Sequence, residues 1–258
     1  MMIKKIFIGL GLLVTIFVGA IIYLVVMELK QEEILKNEII VLTSKDLEKD
    51  DFDMVIKTKG DYAYIERSIK KYYKDLSDNI KEINIYLQDD DLREVLSPIK
   101  LKENGPNFTN QYELINNAKY GLIKALKNVS SLCSDEYVKN LLDKDKFSDS
   151  ADVDYLMNLY KDFMYTDKDL ENMAKLKVEM SELANNMKNY LDKELEILDL
   201  LSKNSKVWKI ENDKLYISDE FVMNNYNNLY KDLMELSSRI QNNNNINNGN
   251  KQDSVMNA

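Results

Sequence analysis

The chain contains no histidine, which removes the side chain that most often acts as a general base near neutral pH and the commonest nitrogen ligand for zinc, copper or iron. Catalysis by Ser-His-Asp or Cys-His sets is excluded. Cysteine occurs once, at Cys133, so no internal disulfide can form; a buried, inert thiol is the expectation and an intermolecular bridge the alternative. Seven glycines and two prolines in 258 residues leave few turns, which favours long helices over a sandwich or barrel of short strands. Positive charge is also in deficit. Lys4 and Lys5 are the only charges before residue 28, and beyond them 33 basic residues face 44 acidic ones, a net charge of −11. That balance is unsuited to neutralising phosphates, so no nucleic-acid partner is expected, and it disfavours peripheral attachment to anionic lipid.

What is present begins with one long apolar run. Residues 6–27 carry no charge, and as a helix they reach about 33 Å, enough to cross a bilayer core. Lys4 and Lys5 precede the run and a net acidic segment follows it, which by the positive-inside rule places residues 1–5 as a cytoplasmic stub and the rest outside. A cleaved signal peptide is the competing reading, with Val18-Gly19-Ala20 as its cleavage site. The apolar run continues seven residues past Ala20, which argues for retention as an anchor. Gly11, Thr15 and Gly19 fall at four-residue spacing on one helix face, a candidate packing face for a homodimer; glycine and threonine are also common in membrane helices without such a role.

Residues 28–59 read as a juxtamembrane stalk and hinge, with a helix to about 44. From Asp61 to Gln88 the positions Ile65, Ile69, Tyr72, Leu76, Ile80, Ile83 and Leu87 follow three- and four-residue steps, the mark of one buried helix face. After a break at Pro98, Gly105 and Pro106, Ile115, Ala118, Leu122, Ala125, Val129 and Leu132 repeat in heptad steps. Two short helices are expected at about 135–143 and 152–164. A capping-box-like start at Thr166 and Asp169 opens the longest helix, to about Lys203, and a last helix covers about 219–241. Between these two, Val207 to Ile210 and Leu215 to Ile217 alternate around Asn212 and Asp213, predicting a small β-hairpin at about 207–217 that caps one end and buries Trp208. An aromatic binding tip is the alternative for Trp208. Residues 242–258 form an Asn-rich tail with nothing to bury, expected to be disordered.

The fold class expected is therefore all-α: an N-terminal transmembrane helix and an antiparallel helical-bundle ectodomain at 60–241 with one hairpin. Motifs with chemical meaning are few. Ser68-x-x-Lys71 and Ser77-Asp78-Asn79 match two of three signatures of penicillin-binding enzymes. They lie nine residues apart on one helix, however, and Lys57-Thr58-Lys59-Gly60 departs from the third. Asp143, Asp145, Asp149, Asp152 and Asp154 loosely follow a calcium loop, but Phe147 and Ser148 occupy positions where a ligand and a glycine are needed, so a solvated acidic loop is expected. Asp89, Asp90 and Asp91 read as carboxylates at the N-terminus of a short helix. Asn107 and Asn128 open formal glycosylation sequons, which chance supplies in an Asn-rich chain.

No catalytic residue, cofactor or metal is expected, and the chain is not expected to be an enzyme. A membrane-held module with a protein partner, acting as a scaffold or in the cell envelope, is the leading expectation. A sensory or ligand-binding ectodomain signalling through a partner is the alternative. The composition, rich in Lys, Asn, Ile and Tyr, resembles that of proteins from AT-rich bacteria and carries no activity.

Overall fold

The structure is a computed structural model that describes residues 27–148 and 152–255, with side chains placed up to Gln241. Helix accounts for 75% of it, and the only strands among the described residues form one antiparallel hairpin, so the helical class holds. Among the described residues no helix is long and apolar enough to cross a membrane. The expected span at 6–27, with Gly11, Thr15 and Gly19, lies outside them apart from its last residue, Met27.

The described residues divide into two compact units: 27–75 with 139–148 and 152–166, and 76–138 with 167–255. The sequence offered a single unit over 60–241. The boundary falls inside a helix, between Asp75 and Leu76, where no turn residue marks it.

In the first unit, α1 (27–43) buries Leu35, Ile39 and Leu42 while Leu29 and Ile40 stay exposed. It is packed as part of the unit, and the segment read as stalk and hinge is structural. The following loop buries Phe52 and Thr58. In α2 (Gly60–Leu87) Ile65, Ile69 and Tyr72 are buried, as their spacing predicts. Beyond Asp75 the helix belongs to the second unit, where Leu87 is exposed and Tyr86 takes the inward place. A 3₁₀ turn at Lys144–Lys146 precedes α7 (Val153–Met164), whose Leu156, Leu159, Tyr160 and Met164 are buried.

The second unit is built on α5 (Thr109–Leu132), α8 (Asp167–Lys203) and α9 (Glu220–Val255), with α8 packed against both others. Three ties set the direction of α5 against α8. The Tyr112 hydroxyl donates to Asp199 Oδ1 at 2.6 Å, Lys119 pairs with Asp192, and Ser130 Oγ donates to the Lys177 carbonyl at 2.9 Å. Numbers rise along one helix as they fall along the other, so the pair is antiparallel. The heptad residues of α5 from Ile115 to Leu132 are all buried, as expected. Gly121 is where α2 comes closest: a Cβ there would fall 2.0 Å from the Tyr86 hydroxyl. The hairpin β1 (Trp208–Glu211) and β2 (Lys214–Ile217) joins α8 to α9 through Asn212 and Asp213, whose φ of 51° and 54° suit a two-residue primed turn. Short helices α3 (Asp90–Arg93), α4 (Pro98–Asn104) and α6 (Asp135–Lys139) fill the turns. Helix α9 runs past the expected end at Gln241.

Candidate functional site

Two places stand out, one buried and one open. The buried place is in the second unit. Leu191, Glu194, Leu198 and Leu201 follow three- and four-residue steps down the inner face of α8, so the heptad itself carries a carboxyl group into the core. Glu194 is 2% exposed and its Oε2 has no hydrogen-bond partner. The Tyr190 hydroxyl, one turn earlier, lies beside the same carboxyl and favours its charged form. Burial pushes Glu194 up to about 8, because water no longer stabilises the charged form and one hydroxyl replaces only part of that solvation. Tyr190 is raised too, first by burial, then by Glu194 and by Tyr230 of α9.

The open place is the hairpin end of the same unit. A groove of about 510 Å³ runs between β2 (Leu215, Ile217), Leu96 with α4 (Pro98, Leu101) and α9 (Met223, Tyr226, Tyr230), and Asp213, Lys214 and Asn227 are its polar lining. Tyr226 and Tyr230 stack across one helical turn, ring centroids 5.9 Å apart and planes 14° apart. Burial and the neighbouring Tyr230 push Tyr226 up to about 12, so its ring remains a neutral hydrogen-bonding phenol near neutral pH. The exposed apolar line of Met223 and Tyr230 on α9 continues beyond the groove to Met234, which is half exposed.

Trp208 is not a binding tip. Its Nε1 donates to the Leu201 carbonyl at 2.7 Å, its ring lies 5.9 Å from Phe108, and Gly105 is close enough that a Cβ there would fall 2.7 Å from the indole. Glycine at 105 is required by that approach, and the indole locks the hairpin to the end of the unit.

The motifs singled out by sequence do not assemble a catalytic centre. Lys71 is exposed and paired with Asp75, Ser77 is buried, and Asn79 accepts from Asn128 at 2.9 Å. The Lys57-Thr58 stretch serves a buried carboxylate instead: the amides of both residues and the Thr58 hydroxyl donate to Glu66, at 2.7–3.1 Å. Lys70 bridges Glu66 and Glu38 at 2.8 and 2.9 Å and donates to the Val55 carbonyl. Burial alone would raise Glu66, but the hydrogen bonds from Lys70, Thr58 and Lys57 outweigh it and hold the group below its ordinary value. This network ties α1, the loop and α2 together within the first unit.

In the acidic loop, Asp143 accepts from the Asp145 amide, and Ser148 donates through both N and Oγ to Asp61. Asp149 lies outside the described residues. Among those described, no three metal-capable side chains converge. Asp89 caps the Leu92 amide at 3.1 Å, while Asp90 and Asp91 pair with Arg93 and Lys100, which matches a helix N-terminus. Cys133 is buried, and burial pushes its thiol up to about 11.

Sequence reasoning passed over Glu194 and the groove. No family model matches the chain, and neither a curated protein nor a solved structure matches it.

Proposed function

We propose that the chain is a membrane-anchored, extracytoplasmic protein-interaction module, held by residues 6–27 and engaging its partner through the hairpin end of the second unit. The observation that carries this reading is the tyrosine-walled groove together with the exposed line of Met223, Tyr230 and Met234. Apolar surface gathered on one side of a helix and continuous with a groove is the kind of surface that proteins present to partners. Tyrosine and methionine suit that role. The ring offers a large contact area with a polar tip, and the thioether adapts to irregular surfaces. The charge-free run after Lys4 and Lys5 supports the anchor and its orientation.

The test is a photo-crosslinking residue at Tyr230 or Met234 in living cells, with Lys175 on α8 as a control position. A discrete crosslinked protein at the first two positions and none at the third is the expected result. Identical patterns at all three would refute the reading. A reporter fused after Ala258 should be active only outside the cytoplasm, and activity only inside would overturn the orientation.

A further inference from the structure

The hairpin register makes one edge of β2 a set of open hydrogen-bonding rungs. Trp208 faces Ile217, Lys209 faces Tyr216, Ile210 faces Leu215 and Glu211 faces Lys214. The Ser218 amide donates to the Val207 carbonyl at 2.8 Å, which sets the alternation. Lys214 and Tyr216 therefore turn their N–H and C=O groups to β1, whereas Leu215 and Ile217 turn theirs away from it. Among the described residues those outward groups meet no hydrogen-bond partner. The same residues wall the groove, and no residue of β1 lines it, so it lies on the β2 side of the hairpin, beside the edge that β1 does not use.

We propose that this edge receives an extended segment of a partner protein, which adds to β2 as a third strand and inserts alternate apolar side chains into the groove. The inference rests on the interaction reading above and gives the partner a chemistry. The backbone must be extended, because only a strand presents N–H and C=O groups at the spacing of about 7 Å that separates Leu215 from Ile217. A helix has spent its own backbone groups internally and leaves these rungs unmet. Every second residue must be apolar, since the floor between Tyr226, Tyr230 and Pro98 is apolar and successive strand side chains face opposite ways. The intervening residues should be basic. Asp213 and Lys214, the charged residues that line the groove, balance one another, and the bias toward a basic segment comes from the net charge of −11 carried by the chain beyond Met27.

The experiment uses the full chain in detergent micelles at about 0.15 M salt. The probe is the labelled peptide Lys-Val-Lys-Val-Lys-Val-Lys, beside the same peptide with its backbone amides N-methylated. Binding is read by anisotropy, and amide exchange at Leu215 and Ile217 by NMR. The expected result is saturable binding below about 1 mM, exchange at both amides slowed tenfold or more, and a tenfold weaker N-methylated peptide. Tyr230→Ala, at a half-exposed position outside the core, should weaken binding without altering the fold.

Equal binding of the two peptides, unprotected Leu215 and Ile217 amides, or no binding at about 1 mM would each overturn strand addition. Tighter binding of a helical peptide of the same composition would overturn it too and leave the interaction reading standing. Failure of the crosslinking at Tyr230 and Met234 strikes that earlier reading instead, so the two results separate.

Discussion

Replacing Glu194 by glutamine should stabilise the second unit at neutral and alkaline pH and do nothing of the kind in acid. The carboxyl is 2% exposed, has one unpartnered oxygen, and sits at about 8 against an ordinary 4.5. A raised value in the folded state means that the folded form holds its proton where the unfolded form has lost it. The stability that Glu194 permits is therefore complete below about pH 4.5 and declines as pH rises, until it levels off above about 8. At about 1.4 kcal/mol per pH unit the decline reaches about 3 kcal/mol at pH 7 and about 5 kcal/mol above pH 8. These are upper bounds, because relaxation or an admitted water recovers part of the penalty. At about 2–4 °C per kcal/mol, the melting temperature should rise by about 10 °C at pH 8. Glutamine keeps an acceptor for Tyr190 but brings an amide with donors to satisfy, a cost of about 1–3 kcal/mol that is independent of pH. The informative quantity is thus the slope of the stability difference with pH. Trp208, packed in the same unit, supplies the fluorescence signal for denaturant melts at pH 4, 6, 7 and 9. With no histidine in the chain, no imidazole titration overlies the measurement. A gap that stays constant from pH 4 to 9 would refute the reasoning and imply that Glu194 is solvated or already paired.

In the first unit, Lys70→Ala should cost about 3–5 kcal/mol by calorimetry, since it strands the fully buried Glu66. Because Glu66 and Glu38 are held below their ordinary values, that loss should shrink as pH falls through the carboxylate range; an unchanged loss at pH 3 would contradict it. Gly105→Ala should destabilise by about 1–3 kcal/mol and shift Trp208 emission, as its Cβ would meet the Leu101 carbonyl at 2.6 Å and the indole at 2.7 Å. Cys133 should react with a thiol reagent at least a hundredfold more slowly in the folded chain than in denaturant, given its burial and a thiol pushed up to about 11, and rapid native labelling would show that the end of α5 opens.

Which parts of this molecule were legible in its sequence follows from how far apart the cooperating residues lie. The α5 face from Ile115 to Leu132 and the turn at Asn212 and Asp213 are local patterns, fixed by a helical repeat and by a two-residue loop, and both are present as read. The Glu66–Lys70 step was visible as an i,i+4 pair, but its burial depends on Glu38 and on the amides of Lys57 and Thr58, a grouping that only the tertiary fold makes. Glu194 was more accessible than that. It stands between Leu191 and Leu198 at core spacing, a carboxylate on the buried stripe.

The groove was hinted at by a width. The buried residues Val222 and Leu233 lie close to one line along α9, and Met223, Tyr230 and Met234 lie on another line about 100° around the helix from it. Leu236 lies about 40° to the other side of the buried line, so the whole apolar sector spans about 160°, wider than the about 100° from which a core-facing stripe on a surface helix starts. The excess is paid out in exposed Tyr230 and Met234 rather than in further core, which is the physical difference between a helix that only packs and one that packs and docks. What the helix alone could not show is that the unused flank abuts the open edge of β2, because Leu215 and Ile217 reach it only through the turn at Asn212 and Asp213.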